Sequence, residues 1–179
     1  MTTSRPQPPV PYDFLPPVPS FAVSSTDIAD GQVLPQAHVE DDDGSVSPQL
    51  SWSGAPAGTR SYAVTCFDPD APTGSGFWHW VLFDIPADVT ELPTGAASGD
   101  FLGLPVGAKH GRNDYGEQGF GGAAPPPGHG PHRYIFAVHA LDVPTLGPDA
   151  GDPPAYVGFN MYSHTLGRGL LTATYENKG

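Results

Sequence analysis

Residues 60–68 carry apolar side chains on both phases of a two-residue repeat. Tyr62, Val64, Cys66 and Asp68 share one phase; Ser61, Ala63, Thr65 and Phe67 share the other. A strand that is mostly apolar on both faces is a central strand covered on both sides. Residues 77–85 read as its neighbour, with Phe77, His79, Val81, Phe83 and Ile85 on one face and Trp78, Trp80, Leu82 and Asp84 on the other. Pro86 ends this strand, because proline has no donor for a ladder. Residues 133–141 repeat the pattern: Tyr134, Phe136, Val138 and Ala140 face one way, and Arg133, Ile135, Ala137, His139 and Leu141 the other. Shorter strand-like runs occur at Phe21-Ala22-Val23 and Gln49-Leu50-Ser51-Trp52.

The period changes near the C-terminus. Asp152-Pro153-Pro154 combines an N-cap residue with proline in a first turn, and Tyr156, Phe159, Leu166 and Leu170 recur at helical spacing. The spacing predicts a helix over 153–168 whose end Gly167 and Gly169 weaken. Residues 170–175 either extend it or form a last strand. The pattern therefore describes a loop-rich, mainly β domain with one short C-terminal helix.

Two stretches lack any period. Residues 1–20 hold seven prolines, which fix φ and remove donors, and read as an extended or disordered arm before a domain at 21–179. Residues 86–131 are rich in glycine and far longer than an ordinary connection, which marks them as functional or disordered. Asp41-Asp42-Asp43-Gly44 reads as a solvated acidic turn, since the oxygen ligands of a calcium loop do not continue beyond it.

Composition narrows the function classes. At 179 residues the chain suffices for one domain burying roughly 70% of its unfolded surface. Glycine and proline, 23 each, approach the level of low-complexity chains, but 11% aromatic residues supply a core. A formal charge of −12 with only seven Lys and Arg excludes nucleic acid as a partner, and excludes adhesion to anionic lipid through a basic patch. The single cysteine, Cys66, forms no internal disulfide and reads as an inert buried thiol. The start of the chain lacks the apolar core of a signal peptide, and no apolar run is long enough to span a membrane. These features predict a soluble cytoplasmic protein.

Candidate chemistry clusters in two places. Cys66-Phe67-Asp68-Pro69-Asp70-Ala71-Pro72 presents two aspartates at the end of a strand, and His79 returns on the next one. Asp68 and Asp70 point the same way if the chain is extended; two close carboxylates repel unless a cation or donor intervenes. His132 and Tyr134, also two apart, open the later strand behind His129-Gly130-Pro131. Converging Asp, His, His and Tyr would offer donors and acceptors to a small anion, with histidine the member that changes charge near neutral pH. The simpler alternatives are a turn in which aspartates cap local amides, a satisfied core histidine at 79, and a His129/His132 metal pair that the Gly-Pro between them disfavours. Residues 119–128, Gly-Phe-Gly-Gly-Ala-Ala-Pro-Pro-Pro-Gly, combine close backbone approach with stiffness and read as a pocket wall.

In this order and spacing, Asp68-Pro69-Asp70-Ala71-Pro72, His79-Trp80, the Gly121–Gly128 run and His132-Arg133-Tyr134 resemble the phosphatidylethanolamine-binding protein family, in its bacterial, kinase-inhibitor-like branch. The resemblance spans roughly residues 20–176. It implies a sandwich of two antiparallel sheets with Greek-key connections and a helical C-terminal segment. It also implies an anion pocket lined by Asp68, Asp70, His79, His132 and Tyr134, with Gly122, Pro125 and Pro126 in its wall, and neither metal nor cofactor. The implied function is non-enzymatic binding of a small anion or a phospholipid head group, with a kinase or other enzyme as a protein partner. A hydrolase or phosphoesterase using the His/Asp set is the alternative, although no Gly-x-Ser-x-Gly elbow occurs. A homodimer stays open as the commonest oligomer. Two departures stand out. Ala123-Ala124 replaces the Pro-Cys frequent in bacterial members, and the short loop between Pro72 and Phe77 leaves no evident match for a rim tyrosine of animal members.

Overall fold

The computed structural model describes residues 6–41 and 45–179, so Asp42, Asp43 and Gly44 of the expected acidic turn lie outside the described residues. In chain order the elements are β1 (Ala22–Ser24), β2 (Leu50–Ser53), β3 (Ser61–Asp68), β4 (Phe77–Pro86), β5 (Glu91–Leu92), β6 (Lys109–His110), β7 (His132–Leu141), α1 (Pro154–Tyr162) and β8 (Thr165–Tyr175). They form two antiparallel sheets, one of order β1-β2-β5 and one of order β6-β4-β3-β7-β8. Within the larger sheet β7 returns to lie beside β3 rather than β6, the spatial order of a Greek key. No helix among the described residues is long and apolar enough to cross a membrane.

The two-phase apolar pattern of β3 has a direct structural counterpart, because all eight of its residues are buried. Its Tyr62, Val64 and Cys66 join Trp80, Leu82, Ile85, Tyr134, Phe136 and Val138 in packing against Leu50, Trp52 and Leu92 of the smaller sheet. Its other phase, through Ala63, meets Val81, Phe83 and Leu141 beneath Leu146, Val157 and Met161, the last two from α1. Burial pushes the Cys66 thiol far above its usual range, so it stays protonated and inert.

Strict alternation fails in β4. The register passes from Cys66↔Trp80 to Phe67↔Trp78, so His79 is an extra residue on that strand, and a second irregularity falls between Tyr62↔Ile85 and Val64↔Leu82. Asp84, at φ 58°, lies in the second of these. Each bulge flips the phase. As a result Trp80 and Leu82 face the smaller sheet, as does Ile85, whereas Val81 and Phe83 face α1.

The C-terminal helix is shorter than its spacing predicts. It ends at Tyr162, and residues 165–175 form an edge strand that pairs with β7 along its length. Leu166 and Leu170 therefore belong to β8, while Tyr156 and Phe159 are 51% and 77% exposed, and Val157 and Met161 make the buried contacts. β7 offers an edge whose partners are satisfied over ten residues, which outweighs the helical spacing of four apolar side chains. Asp152 does not cap α1; its carboxylate accepts the Asp149 N–H (2.8 Å).

Residues 6–20 are an ordered arm, with a 3-10 turn at Pro11–Asp13, laid along the larger sheet on the side away from the smaller one. The Tyr12 hydroxyl reaches Thr65 Oγ1 of β3 (3.3 Å), and the Pro8 carbonyl accepts from Arg133 Nη2 (2.6 Å).

Two buried histidines make the fold acid-sensitive. His110 Nε2 accepts from Trp80 Nε1–H (3.1 Å), and His139 Nδ1 accepts from Arg168 Nε–H (3.3 Å). Burial pulls His110 down to about 4; burial and the Arg168 charge pull His139 down to about 3. Their unfolded values lie near 6.5, so between pH 6.5 and about 4 the unfolded chain binds the extra protons. Stability is fully present above pH 6.5 and falls below it by about 1.4 kcal/mol per pH unit for each histidine. The urea midpoint at pH 4.5 is expected well below that at pH 7; coincident midpoints would contradict the buried neutral histidines.

Candidate functional site

β3 ends in Asp68, and the following Pro69 turns the chain. Asp68 Oδ1 accepts the Asp70 N–H (2.7 Å), closing the turn, while its Oδ2 faces His132 Nδ1 at 2.6 Å. One carboxylate thus both caps the turn and orients a histidine, so the local and the functional readings of Asp68 are realised together. His132 and Tyr134 open β7 on the same face. His132 Nε2 contacts His129 Nδ1 at 2.8 Å, so both ring nitrogens of His132 are engaged.

His79 reaches this group through the bulge in β4. Its Nδ1–H donates to the carbonyls of Gly121 and Gly122, both at 3.0 Å, which leaves Nε2 for other contacts. The ring packs edge-on to Tyr134 (5.1 Å between centroids) and Tyr115 (5.7 Å), and lies 4.9 Å from the Phe77 ring. Burial lowers the His79 pKa more than the Asp68 charge and the two carbonyls raise it, so the ring favours its neutral form.

These side chains border a cleft of about 240 Å³ lined by Asp68, Ala71, Pro72, Thr73, Phe77, His79, Tyr115, Ala124, Pro126, His132 and Tyr134. Its floor holds a buried hydroxyl, that of Tyr134, with no hydrogen-bond partner among the described residues. Burial, reinforced by the Asp68 charge, raises this phenol well above its usual range, so it stays a donor.

Five of the eight expected residues, Asp68, His79, Pro126, His132 and Tyr134, line the cleft. Asp70 does not. The turn at Pro69 breaks the extended geometry that would align the two carboxylates, and Asp70 instead clamps Arg133 through its N–H (2.9 Å), Nε (2.8 Å) and Nη2 (3.0 Å). Burial pushes the Asp70 carboxyl up, but the Arg133 hydrogen bonds and charge outweigh this and hold it below the usual range. Pro125 is buried behind the wall. Gly122 supports the wall from behind: its carbonyl accepts from His79 and from the Tyr115 hydroxyl (2.9 Å), and its N–H donates to Glu40 Oε2 (3.0 Å) and Ser45 Oγ (2.8 Å).

Sequence reasoning missed Tyr115, Phe77 and Thr73 as lining residues. Tyr115 supplies a tyrosine to the cleft wall although the short loop between Pro72 and Phe77 contains none. The signal available for it was the turn-forming Asn113-Asp114-Tyr115-Gly116, in which Asn113 bonds the Gly119 carbonyl (3.2 Å) and holds the loop over the cleft. Among the described residues no three His, Cys, Asp or Glu side chains gather as metal ligands would.

Comparison with known proteins places this arrangement. The model of the phosphatidylethanolamine-binding protein family matches residues 24–176. The chain is 48% identical to the UPF0098 protein YbhB of Escherichia coli (strain K12) over 156 residues, covering 85% of this chain and 98% of that protein. It is 46% identical to YbcL of the same organism over 163 residues, 89% of each chain. The crystal structure of E. coli YbcL, described as a new member of the mammalian PEBP family, superposes with a TM-score of 0.84 over 88% of this chain and 98% of that one. With its two sheets, its C-terminal helix and its match over most of its length, the chain belongs to the phosphatidylethanolamine-binding protein family.

Proposed function

We propose that the cleft binds a small anion or the phosphate of a phosphate-bearing head group and does not turn it over. The observation that carries this reading is the Tyr134 hydroxyl, a buried donor without a partner at the base of the cleft. Such a group carries a desolvation penalty of about 1–3 kcal/mol that an anionic oxygen would relieve. His79 adds Nε2, which becomes a second donor on protonation. The Asp68 charge does not veto an anion, since both carboxylate oxygens are already engaged, one by His132 and one by the Asp70 amide. Its remaining lone pairs suit an ammonium such as that of an ethanolamine head group.

Binding is favoured over hydrolysis by the same geometry. His132, the histidine oriented by a carboxylate, has both nitrogens occupied and none left to take a substrate proton. The Thr73 hydroxyl is committed to the Gly76 carbonyl, and Cys66 is buried in the sheet.

Glycerophosphoethanolamine is the probe of choice, because its phosphodiester keeps one charge between pH 6 and 8. In calorimetric titrations Tyr134→Phe is expected to bind roughly tenfold more weakly with thermal stability equal to or above that of wild type, since the lost hydroxyl is buried without a partner in the free protein. Equal affinity in wild type and Tyr134→Phe would remove the hydroxyl from the site. A bound anion raises the His79 pKa and draws in a proton, so affinity is expected to rise from pH 8 to pH 6, approaching tenfold per unit. The rise should vanish in His79→Gln; a flat wild-type profile would exclude the histidine as a donor.

A further inference from the structure

On the opposite face of the larger sheet lies a second cleft, of about 300 Å³, closed by the N-terminal arm and α1. That volume sits at the lower end of small-molecule sites, roughly 300–1,000 Å³. Its walls are almost wholly apolar: Leu15, Pro16 and Val18 of the arm, Trp78 of β4 and Met161 of α1. At its floor stands one cation, Arg168 of β8.

The surroundings of Arg168 are incomplete for a charge. Its Nε–H donates to His139 Nδ1 (3.3 Å), and its guanidinium lies 4.6 Å from the Tyr12 ring centroid. No carboxylate of the described residues lies within ion-pair distance of it, in a chain of net charge −12. His139 cannot serve as a counter-ion. Accepting from Arg168 at Nδ1, it carries its proton on Nε2 and donates to Thr65 Oγ1 (3.1 Å), which in turn meets the Tyr12 hydroxyl (3.3 Å). The floor is thus a neutral chain, Tyr12–Thr65–His139, ending in a guanidinium whose remaining N–H groups meet no acceptor side chain among the described residues. A half-buried arginine fork without a carboxylate is matched to one, and an apolar cleft above it is matched to a hydrocarbon body.

We propose that this cleft is a second, independent ligand site for a small amphipathic carboxylate, its acid group on Arg168 and its acyl or aryl body between the arm, Trp78 and Met161. The two bodies share this chemistry, and decanoate and 4-phenylbutyrate separate them.

The test titrates each probe, below its micelle concentration, into the full chain with intrinsic tryptophan fluorescence as the readout, because Trp78 lines the cleft. Saturable binding of at least one probe is expected, with decanol roughly tenfold weaker than decanoate and Arg168→Gln roughly tenfold weaker than wild type for the carboxylate alone. Arg168→Lys, which keeps the charge but loses the fork, should bind the carboxylate with an affinity between those of wild type and Arg168→Gln. Saturating glycerophosphoethanolamine should not displace the probe. Failure of both carboxylates to bind, equal affinity in wild type and Arg168→Gln, or displacement by glycerophosphoethanolamine would each overturn the proposal. Should Arg168→Gln fail to fold, the wild-type preference for decanoate over decanol and the displacement experiment decide it.

Discussion

Asp70→Ala is expected to lose about 3–5 kcal/mol of stability at pH 7, the scale of breaking a buried ion pair from one side. Asp70 is 3% exposed and takes three hydrogen bonds from Arg133, one from the backbone and two from the guanidinium. Removing the carboxylate leaves Arg133 with the Pro8 carbonyl (2.6 Å). The arm is held partly through that carbonyl, so its amides should exchange faster with solvent in the variant. The carboxyl pKa is depressed by Arg133 from an unfolded value of 3.8, so its contribution is complete above that value and is lost as pH falls through the folded pKa. The gap between wild type and variant should therefore close under acid. A gap below about 1 kcal/mol at pH 7 would show that the clamp is a screened surface pair.

Gly122→Ala is expected to lose about 3 kcal/mol and to weaken glycerophosphoethanolamine binding in the same variant. An added Cβ would meet the Glu40 backbone nitrogen at 2.4 Å, Ser45 Oγ at 2.6 Å and the Val39 carbonyl carbon at 2.6 Å. Two of these atoms are backbone and cannot swing aside. Space rather than φ demands glycine here, since no left-handed conformation is involved. Because His79 and Tyr115 both bond the Gly122 carbonyl, the shift that admits the methyl also misplaces the two rings. Gly121→Ala is the matched control for stability alone: its Cβ meets the Tyr115 ring at 2.3 Å, a side chain that can rotate, at the cost of disturbing the cleft wall. Urea unfolding and calorimetry of both variants check the pair. Equal stability of Gly121→Ala and Gly122→Ala would contradict the rigid contact with residues 39–45.

Legibility in the sequence followed the range over which each signal acts. The β3 and β7 patterns were read correctly because side-chain alternation is a property of the single strand. The faces of β4 were misassigned from Trp80 to Phe83, between its two bulges, because a bulge is a mismatch between two strands and leaves no mark on one of them. The helix was extended too far for a related reason: Leu166 and Leu170 satisfy helical spacing, yet the open edge of β7 claims them. Asp70 was expected in the cleft from an extended-chain rule that the turn at Pro69 cancels. Tyr115 was overlooked because its loop has no periodicity, and only the folded Asn113–Gly121 segment carries it over His79.

By itself the sequence determined that this is a two-sided β domain built on residues 60–68, and it singled out Asp68, Asp70, His79, His132 and Tyr134 as the candidate polar groups. Their residue types and two-residue spacings are local quantities, legible without a partner strand. The tertiary structure alone decided that Asp68 orients His132 while Asp70 leaves to anchor the arm. It also decided that the bulge at His79 turns that ring toward Tyr134, and that Arg168 lies beneath the arm with no carboxylate partner among the described residues. Those outcomes depend on register between strands and on contacts between residues far apart in sequence, which no local pattern encodes.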